Sequence, residues 1–348
     1  MADKSLFKSY LGKLLPQATA RNREGAPAYA YSDKHKLAQL AMTGTLSQTF
    51  YAEPRRQLED VLATAVLVEP RFLAQAAIYA RRKGHMKDMP ALLLAALSAR
   101  DPVLLTRAFP RVIDNGRMLR TFVQIMRSGA AGRKSLGSRP KALVQAWLNQ
   151  ATDAQILRAA VGQSPSLADL IKMVHPKPAS AERAALYAYL VGKPYDVAMV
   201  PDAVRAFEAF KRDASSEVPD VPFQMLTALE LTAEHWAQIA AKAGWQMLRM
   251  NLNTFDRHCV FAIDGFAEMV AARLADRDEI RKARVLPYQL MAAYMAASKD
   301  VPQIVREALQ DAMEIAIANV PAVPGTVVVC PDVSGSMSSP VTGARKGA

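Results

Sequence analysis

The chain has 348 residues, 51% hydrophobic and 22% charged, a globular composition that excludes disordered and collagen-like classes. Forty-four Lys and Arg against 32 Asp and Glu leave a formal charge of +12, which suits a polyanion and equally suits a soluble surface with surplus lysine. No apolar run reaches the length of a membrane span; the most apolar one, Met89 to Ala99, is stopped by Arg100 and Asp101. The opening residues lack the apolar core of a secretory signal. Cys259 and Cys330 are too few for a disulfide framework or a cysteine zinc site, and their apolar neighbours lead us to expect two small buried side chains in a reducing cytoplasm.

In chain order, residues 1 to about 36 are polar and broken by Pro16, Gly25 and Pro27, and are expected as an extended N-terminal arm. From Pro54 the pattern turns helical, in a vocabulary rich in Ala, Leu and Met and only 7% aromatic. Leu58, Val61, Leu62 and Ala65 share one helix face, and Leu73, Ala76, Ala77 and Ala80 repeat the spacing after Pro70. Asp101-Pro102 reads as an N-cap with proline in the first turn, and Thr152/Gln155 and Ser166/Asp169 have capping-box spacing. Further helices are expected near 180–192, 200–213, 234–250, 258–275, 287–299 and 302–319. Short helices with brief links favour stacked pairs, an α-solenoid, over a bundle, although no strict repeat is visible.

Past Pro321 the character changes. Gly325-Thr-Val-Val-Val-Cys330 is a β-branched run expected as a buried strand, followed by Asp332-Val-Ser-Gly-Ser-Met337. Asp332, Ser334 and Ser336 are hard oxygen donors of the kind Mg²⁺ or another divalent cation prefers, or they cap a following helix. No G-x-S-x-G elbow surrounds these serines, and no paired carboxylates or nucleophile constellation point to an enzyme.

The Asp-Val-Ser-Gly-Ser-Met string resembles the metal-ion-dependent adhesion site of von Willebrand factor A domains. The helical region resembles the TROVE module of the Ro (SS-A autoantigen) family in its bacterial form. The resemblance is carried by Gly132–Lys141, Leu167–Pro178, Met250–His258 and Val285–Gln289, in the family's order. It implies a mainly α fold of HEAT-like helical repeats, a solenoid or ring, with a C-terminal strand and loop from the start of an A domain. The implied organisation is an arm over 1–36, a TROVE module over 37–320 and an incomplete A domain over 321–348. It further implies a cytoplasmic, noncatalytic protein that binds small Y-like RNAs and single-stranded ends of misfolded RNAs in quality control. A 3′-exoribonuclease tethered through RNA is an implied partner, and a membrane is not. The metal site on Asp332, Ser334 and Ser336 would be incomplete, because the family's remaining ligands lie on later loops.

Candidate RNA contacts follow. Arg127, Arg133, Lys134, Arg139 and Lys141 surround a glycine-bearing segment without an acid, expected as a connecting loop that meets phosphates or is simply solvated. Lys172, His175 and Lys177 flank the end of the helix that begins near Ser166; His175 matches the family's RNA-binding histidine, or it caps the helix. The family uses two cations on the preceding helix; Arg158 matches the first, and Gly162 replaces the second. Asn251, Arg257 and His258 are expected in a loop joining two helices, where they would read an unstacked base. The competing function is a helical scaffold that binds a polypeptide, with an A-domain metal engaging an acidic partner.

Overall fold

The computed structural model describes residues 18–22, 25–47, 53–132, 134–214, 217–322, 325–331, 333 and 335. The chain divides into two compact units, Met1–Arg205 and Ala206–Ala348.

The first unit opens with a small antiparallel hairpin, β1 (Ala20–Arg21) and β2 (Pro27–Ala28), in which Ala20 pairs with Ala28. Helix α1 (Asp33–Thr43) begins inside the stretch expected as an arm, because the Ser32 hydroxyl accepts from the His35 N–H and caps it. Then come α2 (Pro54–Leu67), α3 (Pro70–Arg82), α4 (Asp88–Ser98), α5 (Pro102–Val112), α6 (Gly116–Ser128), α7 (Ser138–Gln150), α8 (Asp153–Ala160), α9 (Leu167–Val174) and α10 (Ala181–Val191). Helix α4 forms the middle of the core; every residue from Met89 to Ala95 is buried, which is why this stretch reads as apolar all round. The expected starts hold: Asp101 Oδ1 accepts from Val103 and Leu104, and both capping boxes form.

The boundary between the units in sequence falls within α11 (Asp202–Arg212). The second unit continues with α12 (Phe223–Leu226), α13 (Ala233–Lys242), α14 (Trp245–Met250), α15 (Leu252–Arg257), α16 (Phe266–Leu274), α17 (Arg277–Ala283), α18 (Pro287–Ala296) and α19 (Gln303–Ala316). Its core gathers Phe210, Trp236, Phe255, Val270 and Leu309. The single helix expected over 234–250 is broken at Gly244, whose backbone is extended, and that over 258–275 is broken by Gly265 at φ 74°.

One arginine tie recurs. Arg100 donates to Ala65 O (2.5 Å) and Val68 O (2.7 Å), 35 and 32 residues earlier. Arg183 donates to Leu148 O and Ala151 O at those same separations, the second bond being 2.6 Å. In the second unit Arg273 reaches Ala240 O (3.1 Å) and Ala243 O (2.8 Å). Each guanidinium takes carbonyls at a helix C-terminus that the helix itself cannot satisfy. These ties expose helix-pair repetition that the sequence hides.

Two expectations fail. Gly325–Cys330 forms no strand and its valines are exposed, Val329 by 81%, because among the described residues no second strand lies beside it. Both cysteines are exposed rather than buried; Cys259 occupies a left-handed turn before a short 3₁₀ helix.

Candidate nucleic-acid interface

The first unit carries an open cleft of about 700 Å³ between α6 and α9. Val123, Gln124, Arg127 and Ser128 line it from α6, Ser164 and Pro165 from the loop, and Asp169, Lys172 and Met173 from α9. The apolar faces that bring the helices together are Met118, Phe122 and Met126 on α6 and Leu167, Leu170 and Val174 on α9, all buried. Arg127 and Lys172, 45 positions apart in sequence, therefore face one hollow, and Arg127 Nη1 lies 3.5 Å from Met173 Sδ. The acid in the cleft, Asp169, is engaged: its Oδ2 accepts from Ser166 Oγ (2.7 Å) and Ser166 N (2.9 Å). Those bonds, with Lys172 nearby, hold its carboxyl below the ordinary carboxylate range.

Helix α6 holds more charge than the expectations named. Arg117, Arg120, Gln124 and Arg127 are spaced i, i+3, i+7 and i+10, one polar stripe on a helix with no acidic residue. Over ten residues that stripe is roughly 15 Å long. Arg117 and Arg120 are not among the candidates above, although the acid-free composition of Gly116–Ser128 is visible in the sequence.

That segment is only partly a loop. Gly129, Gly132 and Gly137 have φ of 84°, 81° and 78°, as a tight connection requires. Helix α7 starts at Ser138, so Arg139 and Lys141 stand on its first turn rather than in the loop. Cations there oppose the helix dipole, a placement that helix stability does not explain. Lys134 and Arg139 are exposed and Lys141 is half-buried. Arg133 lies outside the described residues.

His175 caps α9 in the left-handed region, φ 49°, and its N–H donates to Ile171 O. Its ring is exposed. Gln145 Nε2 donates to Val174 O (2.6 Å) and His175 O (3.2 Å), and Asn149 Nδ2 to Lys177 O (2.8 Å). Tyr187 Oη donates in turn to Asn149 Oδ1 at 3.1 Å, and burial pushes this phenol's pKa up. Side chains of α7 thus fix the backbone from which His175 and Lys177 project. Arg158 is exposed on the last turn of α8. At Gly162, a Cβ would stand 2.5 Å from Arg120 Nη1, so a guanidinium from α6 fills the space beside it.

Each second-unit candidate has a local partner. Asn251 donates to Met247 O at 2.8 Å, a helix-end bond. Arg257 belongs to α15 instead of a loop, because Asn253 ties that helix to Ala296 O and Ser298 N. Arg257 is exposed, with a 3.3 Å bond to Thr254 Oγ1. His258 stacks on Trp236 with centroids 5.0 Å apart and planes 26° apart, so one face of its ring is already covered. Asp332, Ser334 and Ser336 lie outside the described residues. Among the described residues no three His, Cys, Asp or Glu side chains could hold a metal ion, and no helix is long and apolar enough to cross a membrane.

The chain superposes on the crystal structure of the Ro (RSR) protein of Deinococcus radiodurans with a TM-score of 0.60 over 83% of this chain and 65% of that one, at 20% identity. The fold is that of the bacterial Ro proteins. The sequence is 24% identical to the RNA-binding protein RO60 of the same bacterium, over 93% of this chain and 67% of that protein. This chain thus spans about two thirds of the length of the Ro proteins it matches. No family model matches it.

Proposed function

We propose that this chain is a noncatalytic RNA-binding protein that takes structured noncoding RNA of the Y-like class and single-stranded RNA ends. The observation that carries the reading is the cleft that gathers Arg127 and Lys172 beside the acid-free arginine stripe of α6. Such a surface meets phosphates, which supply affinity and register rather than sequence choice. His175 and Lys177, on a backbone fixed by Gln145 and Asn149, stand ready for a base or a further phosphate. A role in RNA quality control, and a 3′-exoribonuclease brought alongside by shared RNA, extend the same reading.

An electrophoretic titration across a salt series tests it. Wild-type protein is expected to prefer RNA with a 3′ single-stranded tail over a length-matched duplex. Arg127→Gln and Lys172→Gln should each reduce the slope of log affinity against log salt by about 0.7 to 0.9. Equal binding to both RNAs, or unchanged slopes, sinks the reading. The exposed Tyr288, Met291 and Met295 on α18 favour a second reading, a scaffold for a polypeptide. Ribonuclease-sensitive absorbance in the purified protein supports the first; a clean spectrum with a co-purifying polypeptide supports the second.

A further inference from the structure

The arginines that tie helices together show what a structural guanidinium looks like here: Arg100, Arg183 and Arg273 each reach two or more backbone carbonyls. Arg120 does not. Its Nε and Nη1 are shielded from solvent and find no hydrogen-bond partner among the described residues. No carboxylate pairs with it there either. The charge that acts on it is Arg117, one turn back on the same stripe; burial first, then Arg117, lowers its pKa. Arginine keeps its proton regardless, so this positive charge stays unmatched within the described chain.

The neighbourhood is built around that cation. The guanidinium lies against Gly162, at φ 110°, where any Cβ would come within 2.5 Å of Nη1 and 2.6 Å of Nη2. The start of α6 presses on α8 so closely that a Cβ on Gly116 would stand 2.0 Å from that of Ala159, which brings the residue next to Arg158 against the residue next to Arg117. We infer that Arg117 and Arg120 form a seat for one phosphate group, with Gly162 bare so that the Arg120 fork can lie beside the loop. With Nε and Nη1 shielded, the phosphate is met by Nη2 of Arg120 together with the Arg117 guanidinium. The occupant is a phosphodiester of bound RNA, an assignment that rests on the RNA reading above; free phosphate shares the chemistry.

The full chain, ¹⁵N-labelled in its arginine side chains, is titrated separately with inorganic phosphate and with tailed RNA. The Arg120 Nε–H signal is identified by its loss in Arg120→Lys. It should move in both arms, and Arg120→Gln should lower the salt slope of RNA affinity by about 0.7 to 0.9. Arg120→Lys should keep the slope and bind more weakly, a comparison that stands even where Arg120→Gln unfolds the unit. Gly162→Ala, which leaves the charge intact, should shrink the phosphate-induced shift. If wild-type protein binds RNA while the Arg120 signal stays still and Arg120→Gln keeps the slope, the seat is overturned and the RNA reading stands. If wild-type protein binds no RNA but phosphate alone moves the signal, the RNA reading falls and the seat belongs to free phosphate. Silence in both arms overturns the seat.

Discussion

Arg183 and Arg158 stand 25 positions apart; the structure buries the first against carbonyls and leaves the second exposed, a difference that Arg183→Met and Arg158→Met test. Arg183 is 13% exposed and donates a 2.6 Å bond to Ala151 O. A charge-assisted bond of that length is worth about 1.5 to 3 kcal/mol, and its loss strands a carbonyl at a helix end. The bond to Leu148 O, at 3.5 Å, is too long to add much. The ion pair with Asp153 is 3.3 Å long, but Asp153 is 48% exposed, so solvent screening limits it to at most about 1 kcal/mol. Methionine keeps most of the aliphatic stem in place. The total is about 2 to 4 kcal/mol. With two compact units one unfolding transition cannot be assumed, so the reading is local: hydrogen exchange of peptides covering 138–151. Exchange there should accelerate about 30- to 700-fold in Arg183→Met, at one decade per 1.4 kcal/mol. Arg158→Met should change it by less than about 0.5 kcal/mol, and should lower the salt slope of RNA binding instead. An Arg183→Met protein with unaltered exchange would refute the claim that buried guanidinia, rather than free ones, tie these helices.

Three further outcomes are expected. Gly116→Ala drives a methyl group into Ala159, so overpacking of about 1 to 3 kcal/mol should outweigh a helix-propensity gain of at most about 1, measured as a lower melting temperature of the first unit. Asn149→Ala frees Lys177 O and strands the buried Tyr187 hydroxyl, costing about 1 to 3 kcal/mol by denaturation; adding Tyr187→Phe should restore part of that, and full additivity would contradict the hydrogen bond. The Asp169 carboxyl, held low by Ser166, should titrate below the ordinary Asp value of about 3.9 in ¹³C spectra, and Ser166→Ala should raise it. The stability from that cap is complete above the unfolded value and is lost as pH falls through the folded one; a midpoint above 3.9 would contradict the cap.

Local physics made much of the first unit legible. Asp101, Thr152 and Ser166 announce helix starts because their side chains satisfy N–H groups a few residues away, and the face Leu167, Leu170, Ile171, Val174 needs only helical periodicity. What failed depends on distant partners. Val327, Val328 and Val329 have strand chemistry, but a strand exists only beside another. The break at Gly244 falls where apolar spacing continues, and the carbonyls of Ala240, Ala241 and Ala243 before it are taken by Arg273 from a later helix. The pairing of Arg127 with Lys172 in one cleft was equally out of reach, since it is made by α6 packing on α9. Arg117 and Arg120, by contrast, lie on an acid-free helix face that the sequence alone displays.

The arginine ties also govern how this sequence can drift. At position 100 a single nitrogen, Nη1, makes both bonds. At position 273 all three guanidinium nitrogens are used, Nη1 and Nη2 on carbonyls and Nε and Nη2 on Glu279, and a lysine ammonium, a point charge without a rigid fork, could not do the same. Exposed cations such as Lys134, Arg139 and Lys172 face no such demand. A library that randomises every basic position between lysine and arginine, sorted only for folded protein, should come back as arginine at 273 and mixed at the exposed positions.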